Sequence, residues 1–132
     1  GKEYRYYDDE GVAPSDVWDD IPHLQQRDPE RTGYPTQKPE KLLRRVILCA
    51  SRPGDAVLDV FSGSGTTLAA CEAYGQPSYI MELTPAFTDV IVKRYIRITG
   101  KTTVRCVRQG RELPREEIAA IFEPDEEGGE QE

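Results

Sequence analysis

The chain has 132 residues, 37% hydrophobic and 31% charged, with a net charge of −7, which fits one domain with a small core. No apolar run approaches the roughly 20 residues that a bilayer crossing needs, and the opening stretch GKEYRYYDDE cannot act as a signal peptide, so a soluble protein without a membrane partner is expected. Cys49, Cys71 and Cys106 form no CxxC pair and have no histidine nearby, which excludes a zinc site and a disulfide framework and predicts a reducing, cytoplasmic setting.

Residues 1–35 are rich in Asp, Pro and aromatics without periodicity and read as extended chain and loop, with Trp18 and Ile21 pinning the segment to something apolar. His23, the only histidine, falls in this segment and reads as a surface residue. A net balance of −5 over residues 1–26 and −8 over 112–132 leaves +6 between them, a basic centre between acidic ends. PEKLLRRVILCAS (39–51) predicts a helix opened by Pro39, with Leu42, Leu43, Val46, Ile47 and Ala50 on one stripe. RPGD (52–55) ends it, and AVLDVF (56–61) reads as a buried strand. A helix over 66–75 closed by Gly75, a strand over 78–83 and a helix over 85–99 closed by Gly100 follow. TTVRCVRQG (102–110) alternates as a further strand, and 114–123 predicts a short helix with Ile118, Ile121 and Phe122 inward. Residues 124–132 form an acidic tail expected to be disordered. The order of elements predicts an α/β unit over 36–123, a partial Rossmann-like parallel sheet with helices on both faces.

Ligands of open parallel sheets bind at the carboxyl ends of strands, where the turn Ser62–Gly63–Ser64–Gly65 is expected. Its glycines let backbone approach a ligand, and the helix that follows offers unpaired N–H groups to an anion. A phosphate-binding P-loop requires a lysine after the last glycine, and none follows Gly65. A dinucleotide fingerprint requires a third glycine at position 68, which is Leu. S-Adenosylmethionine is the third candidate beside a weakened dinucleotide reading, with its amino-acid end near the turn and its ribose near a carboxylate on the next strand. Glu82, 17 residues beyond Gly65, fits that place; a strand-end acid facing water is the competing reading. Upstream, RTGYPTQKP (31–39) gathers Thr36, Gln37 and Lys38 as donors immediately before a helix start.

TGYPTQKP, a helix, PGDAVLDVFSGSGTT and YIMELTPAF in this order resemble the amino-methyltransferases of DNA, which modify the exocyclic nitrogen of adenine or cytosine. The resemblance spans roughly residues 16–101 and is closest to the permuted group whose cofactor half follows the catalytic half. It implies that Thr36, Gln37 and Lys38 close over the methionine part of S-adenosylmethionine. Asp59, Phe61, Gly63, Ser64, Gly65, Thr66 and Thr67 then make the glycine-loop motif, with Glu82 on the ribose and Leu83 beside the adenine. Val60 stands where the family usually has Pro, and Thr84 where it usually has Asn or Asp; neither change removes a ligand group, and Thr84 keeps a helix N-cap.

The family's catalytic tetrapeptide, a polar residue followed by Pro-Pro and an aromatic, frees the lone pair of the target nitrogen and stacks on the flipped base. The ten prolines here include no adjacent pair, so no catalytic residue is nominated. The chain resembles the C-terminal, cofactor-binding portion of such an enzyme, acting with duplex DNA. Arg27, Arg31, Lys41, Arg44, Arg45 and Arg52 are candidates for phosphate contact. A non-catalytic cofactor-binding or assembly module, self-associating or paired with a chain that carries the catalytic half, is the alternative. A methyltransferase of RNA or of a small molecule is a third.

Overall fold

The apolar stripe at 39–51 forms helix α1, Glu40–Ala50, in the computed structural model, which describes residues 16–101, 103–114 and 116–118. Pro39 lies one position outside the helix, at φ −58° and ψ 137°, and not in its first turn. Only Ile47 of the stripe is fully buried, while Val46 is 40% exposed. The stripe narrows because α1 packs chiefly on helix α2, Thr66–Ala73, whose small residues Ala69 and Ala70 allow close approach. Ile47, Ala70 and Cys71 form the core, with Leu43 and Val57 against them.

Strands β1 (Val57–Asp59) and β2 (Ser78–Ile80) pair in parallel, Val57 opposite Ser78 and Asp59 opposite Ile80. The ladder runs on past both strands, since Met81 N donates to Asp59 O at 2.9 Å and Ser62 N to Met81 O at 3.0 Å. Helix α2 is therefore the crossover of a β–α–β unit, as expected. It ends at Ala73, and Gly75, at φ +62°, turns the chain back. Helix α3, Pro85–Thr99, begins at Thr84 and ends on Gly100 in the left-handed region. Thr84 makes no side-chain cap, contrary to expectation; its own N–H donates to Glu82 Oε1 at 2.9 Å, so the neighbouring carboxylate takes the capping role.

Two further expectations are corrected. Of the strand expected over 102–110, the described residues 103–110 do not add a third parallel strand. Val107–Arg108 (β3) and Arg111–Glu112 (β4) form a separate antiparallel hairpin. Gln109 (φ 52°) and Gly110 (φ 76°) both lie in the left-handed region, the backbone of a tight two-residue hairpin turn, which folds the strand back on itself. Nor are both faces of the β1–β2 pair covered. Leu58 and Tyr79, opposite each other in register, are 68% and 64% exposed, and Met81 is 62% exposed beside them. Strand alternation turns these side chains away from the core that Val57 joins. Residues 116–118 are helical with Ile118 buried. The remainder of the helix expected over 114–123, the tail over 124–132 and residues 1–15 lie outside the described residues.

The segment before α1 is fastened to it. Asp20 accepts a bidentate pair from Arg45 at 2.7 Å each and pairs with Lys41 at 2.8 Å, while the Arg45 guanidinium lies 5.2 Å from the centre of the Trp18 ring. Trp18 thus pins the segment through a cation on α1.

Candidate functional site

A cleft of about 380 Å³ opens at the carboxyl end of β1, between the 30s segment and the glycine turn. Tyr34, Thr36, Gln37 and Lys38 form one wall; Asp59, Phe61, Ser62, Gly63, Ser64, Thr66 and Thr67 form the other. The two sequence motifs, distant along the chain, meet because α1 returns the backbone to the start of β1.

The glycine turn is shaped by contacts behind it. Gly63 (φ +55°) and Gly65 (φ +73°) both adopt backbone that L side chains avoid. A Cβ at Gly63 would stand 3.0 Å from the Tyr34 ring, and one at Gly65 3.0 Å from Ile91 of α3. Asp59 ties the turn to its strand: Oδ1 accepts from Phe61 N at 3.0 Å and Oδ2 from Thr67 Oγ1 at 2.5 Å. Asp59 and Thr67 thus serve each other as well as lining the cleft. Thr66 Oγ1 lies 3.2 Å from Ser64 Oγ and donates to Lys38 O at 3.4 Å, joining turn to wall. Gln37 is buried with its amide spent internally. Its Oε1 accepts from Thr32 N and Thr32 Oγ1 at 2.9 and 2.8 Å, and its Nε2 donates to Glu30 O at 2.7 Å. Lys38 is exposed, and its ammonium donates to Thr36 O at 2.9 Å.

Glu82 reaches the turn from β2. Its Oε2 accepts from Gly63 N at 2.8 Å and its Oε1 from Thr84 N. These donors, the Thr84 N–H first, hold its carboxyl below the usual carboxylate range. The Thr84 hydroxyl and the Leu83 N–H add lesser contributions in the same direction. Leu83 is 96% exposed, and neither it nor Glu82 nor Gly65 lines the cleft itself; Glu82 and Leu83 border an adjoining hollow with Pro85 and Thr88 of α3. Phe61 stands 89% exposed at the rim.

Tyr34 and Arg94 were not singled out by sequence, and Ser62 only as a member of the turn. Ser62 is 7% exposed, lines the cleft, and its Oγ has no hydrogen-bond partner among the described residues. An orphaned buried hydroxyl costs free energy unless something else satisfies it. Tyr34 packs edge-on against Phe87 with ring centres 4.6 Å apart and walls the turn. Arg94 of α3, 4% exposed, lies behind the turn. The sequence signal for Arg94 was a cation three residues from Ile91 on the apolar side of α3. Among the basic residues considered for phosphate contact, Lys41, Arg44 and Arg45 are all held in ion pairs, with Asp20 or Glu40. No helix of the described residues is long and apolar enough to cross a membrane, and no group of metal-ligating side chains is found among them.

The start of α2, whose first N–H groups lack intrahelical acceptors, a buried unsatisfied hydroxyl and a carboxylate on the next strand suit a ligand with an anionic end and a vicinal diol. Comparison with known proteins narrows the field. Residues 1–93 match a family model described as DNA methylase. The chain is 42% identical over 82 residues to the DNA adenine methyltransferase YhdJ of Escherichia coli K12, covering 62% of this chain and 28% of YhdJ. It is 36% identical over 84 residues to the Type II methyltransferase M.HpaI of Haemophilus parainfluenzae, covering 64% of this chain and 26% of that protein. It thus spans little more than a quarter of the length of these relatives. Among solved structures, the M1.HpyAVI–SAM complex aligns with a TM-score of 0.49 at 37% identity, over 51% of this chain and 34% of that one.

Proposed function

We propose, from the premise that this chain belongs to the DNA methylase family, that it holds S-adenosylmethionine for methyl transfer to an exocyclic amino group of adenine or cytosine in duplex DNA. When bound, S-adenosylmethionine would supply an electrophilic methyl group on its sulfonium, with the sulfur as thioether leaving group. The chain's own residues bind and orient. Gly63 and Gly65 keep the turn bare enough for close approach, and the first N–H groups of α2, which lack intrahelical acceptors, face the amino-acid carboxylate. Ser62 Oγ offers a further hydrogen bond there. Glu82, already ionised and fixed by Gly63 and Thr84, accepts from the ribose hydroxyls, with Leu83 against the adenine. Thr36, Gln37 and Lys38 form the facing wall; Gln37 acts by bracing that wall, its Oε1 held by Thr32 and its Nε2 donating to Glu30 O.

The observation that carries this reading is the link from Glu82 on β2 to the Gly63 N–H in the glycine turn. It joins the two elements that would hold opposite ends of the molecule. No residue of this chain is assigned to base activation, because no Pro-Pro pair occurs in it; methyl transfer by this chain alone is expected to be absent. The exposed face formed by Leu58, Tyr79 and Met81 favours a second, compatible reading, a cofactor-binding module that works against another polypeptide surface.

Calorimetric titration with S-adenosylmethionine tests the proposal. Saturable binding is expected, and Glu82→Ala weakens it about tenfold, the loss of one charge-assisted hydrogen-bonded group. An affinity that Glu82→Ala leaves unchanged would overturn the site.

A further inference from the structure

We propose that Arg94 is a positioning residue of the cleft: one buried guanidinium ties the glycine turn to the 30s wall and so sets the gap into which the ligand fits. Its Nη1 donates to Ser64 O and to Thr66 Oγ1, both at 3.3 Å. Its Nη2 donates to Glu30 Oε1 at 3.4 Å and to Glu40 Oε2 at 3.3 Å. Ser64 and Thr66 belong to the turn. Glu30 and Glu40 bracket the opposite wall, and Glu30 Oε1 also accepts from Glu40 N at 2.7 Å. The same Glu30 carries the backbone carbonyl that Gln37 holds, so the tie runs on into the residues that line the cleft.

Helix α3 supplies this tie with a second contact on the same face. Ile91 and Arg94 are its two buried residues, one turn apart. Ile91 presses on Gly65 from behind, and Arg94 holds the carbonyl and hydroxyl on either side of that glycine. The hold on Ser64 O fixes the turn between two further bonds of its backbone, Gly63 N to Glu82 Oε2 and Gly65 N to Ser62 O. Thr66 Oγ1 in turn donates to Lys38 O, which closes a ring of contacts around the mouth.

Arginine suits the place for a geometric reason. Its planar fork addresses two directions from separate nitrogens, whereas a lysine ammonium is one point with no fixed fork. Side chains at this depth are rarely charged unless paired; Arg94 is balanced by two carboxylates, themselves only partly exposed. It touches no reacting atom; its effect passes through Ser64, Thr66 and Glu30.

This inference rests on the reading of the cleft as a cofactor site, and the experiment separates the two. Arg94→Lys keeps the charge and loses the fork. In the full chain it is expected to keep a thermal midpoint close to that of the unmodified protein, raise amide hydrogen exchange at Ser64–Thr67, and weaken S-adenosylmethionine about tenfold. A residue that only stabilised the fold would lower the midpoint and leave both the exchange at the turn and the affinity of the folded protein alone; that result overturns the proposal. Should Arg94→Lys fail to fold, Glu30→Gln keeps an acceptor but removes one anchoring charge. Faster exchange at the turn and weaker binding in that variant support the proposal, and no change in either overturns it. If the unmodified protein binds no S-adenosylmethionine, the functional reading falls, and the exchange rates at the turn still decide the role of Arg94.

Discussion

Gly63, like Gly65, is constrained on two counts. Its positive φ and the Tyr34 ring 3.0 Å from where a Cβ would stand both disfavour a side chain. Gly63→Ala is expected to weaken S-adenosylmethionine by roughly tenfold or more, because either the turn or Tyr34 must give way; calorimetry checks it. Glu82 gives a pH dependence whose sign follows from its lowered pKa. The unfolded carboxyl titrates near 4.5, so the hydrogen bonds from Thr84 and Gly63 contribute fully above that value and are lost only as pH falls through the lower folded one. Affinity for the cofactor should therefore hold constant from neutral pH to below 4.5 and decline only as pH falls through the lowered folded value, as a pH series of titrations would record. Cys71 lies buried, and burial, with the Asp59 charge as a lesser cause, pushes its thiol up. Exposed Cys49 should alkylate in the folded protein at mildly alkaline pH while Cys71 stays silent until unfolding, a pattern read by peptide mass. At this scale the position of the glycine turn and of Glu82 beside it was legible in sequence, because a bare turn and a strand-end acid leave a local pattern. The burial of the Ser62 hydroxyl was not: a serine looks the same whether its hydroxyl meets water or nothing.

Helices α1, α2 and α3 match the expected spans to within two residues at each end. Proline, glycine and apolar spacing are local signals, and these mark the helices at or near their ends. The strands were shorter than expected, β1 covering Val57–Asp59 within the 56–61 stretch. A strand ends where its partner ends, and pairing is not written in either strand alone. The hairpin β3–β4 shows the same effect, since alternation over 102–110 did not reveal that Gln109–Gly110 would reverse the chain. The small core makes α1 vulnerable. Ile47 is its one fully buried residue, set against Ala70 and Cys71. Ile47→Ala is expected to cost about 3 kcal/mol, seen as a lowered urea midpoint with little change in slope.

For the whole molecule, the bare face of the β1–β2 pair is the outstanding feature. Parallel sheets are normally covered on both sides, yet Leu58, Tyr79 and Met81 remain more than half exposed. The chain is expected to self-associate at micromolar concentration, with Leu58→Lys/Tyr79→Lys restoring a monomer; light scattering that finds the unmodified chain monomeric would contradict this. By itself, the sequence determined the family, the helices and the residues of the glycine turn, because these depend on short-range spacing and on motifs whose chemistry is local. Only the tertiary structure decided that Arg94 of α3 lies between the glycine turn and the acids Glu30 and Glu40, that Gln37 spends its amide inward, and that one sheet face is left open. Those outcomes depend on which segments come to lie beside one another, and burial and pairing exist only between segments.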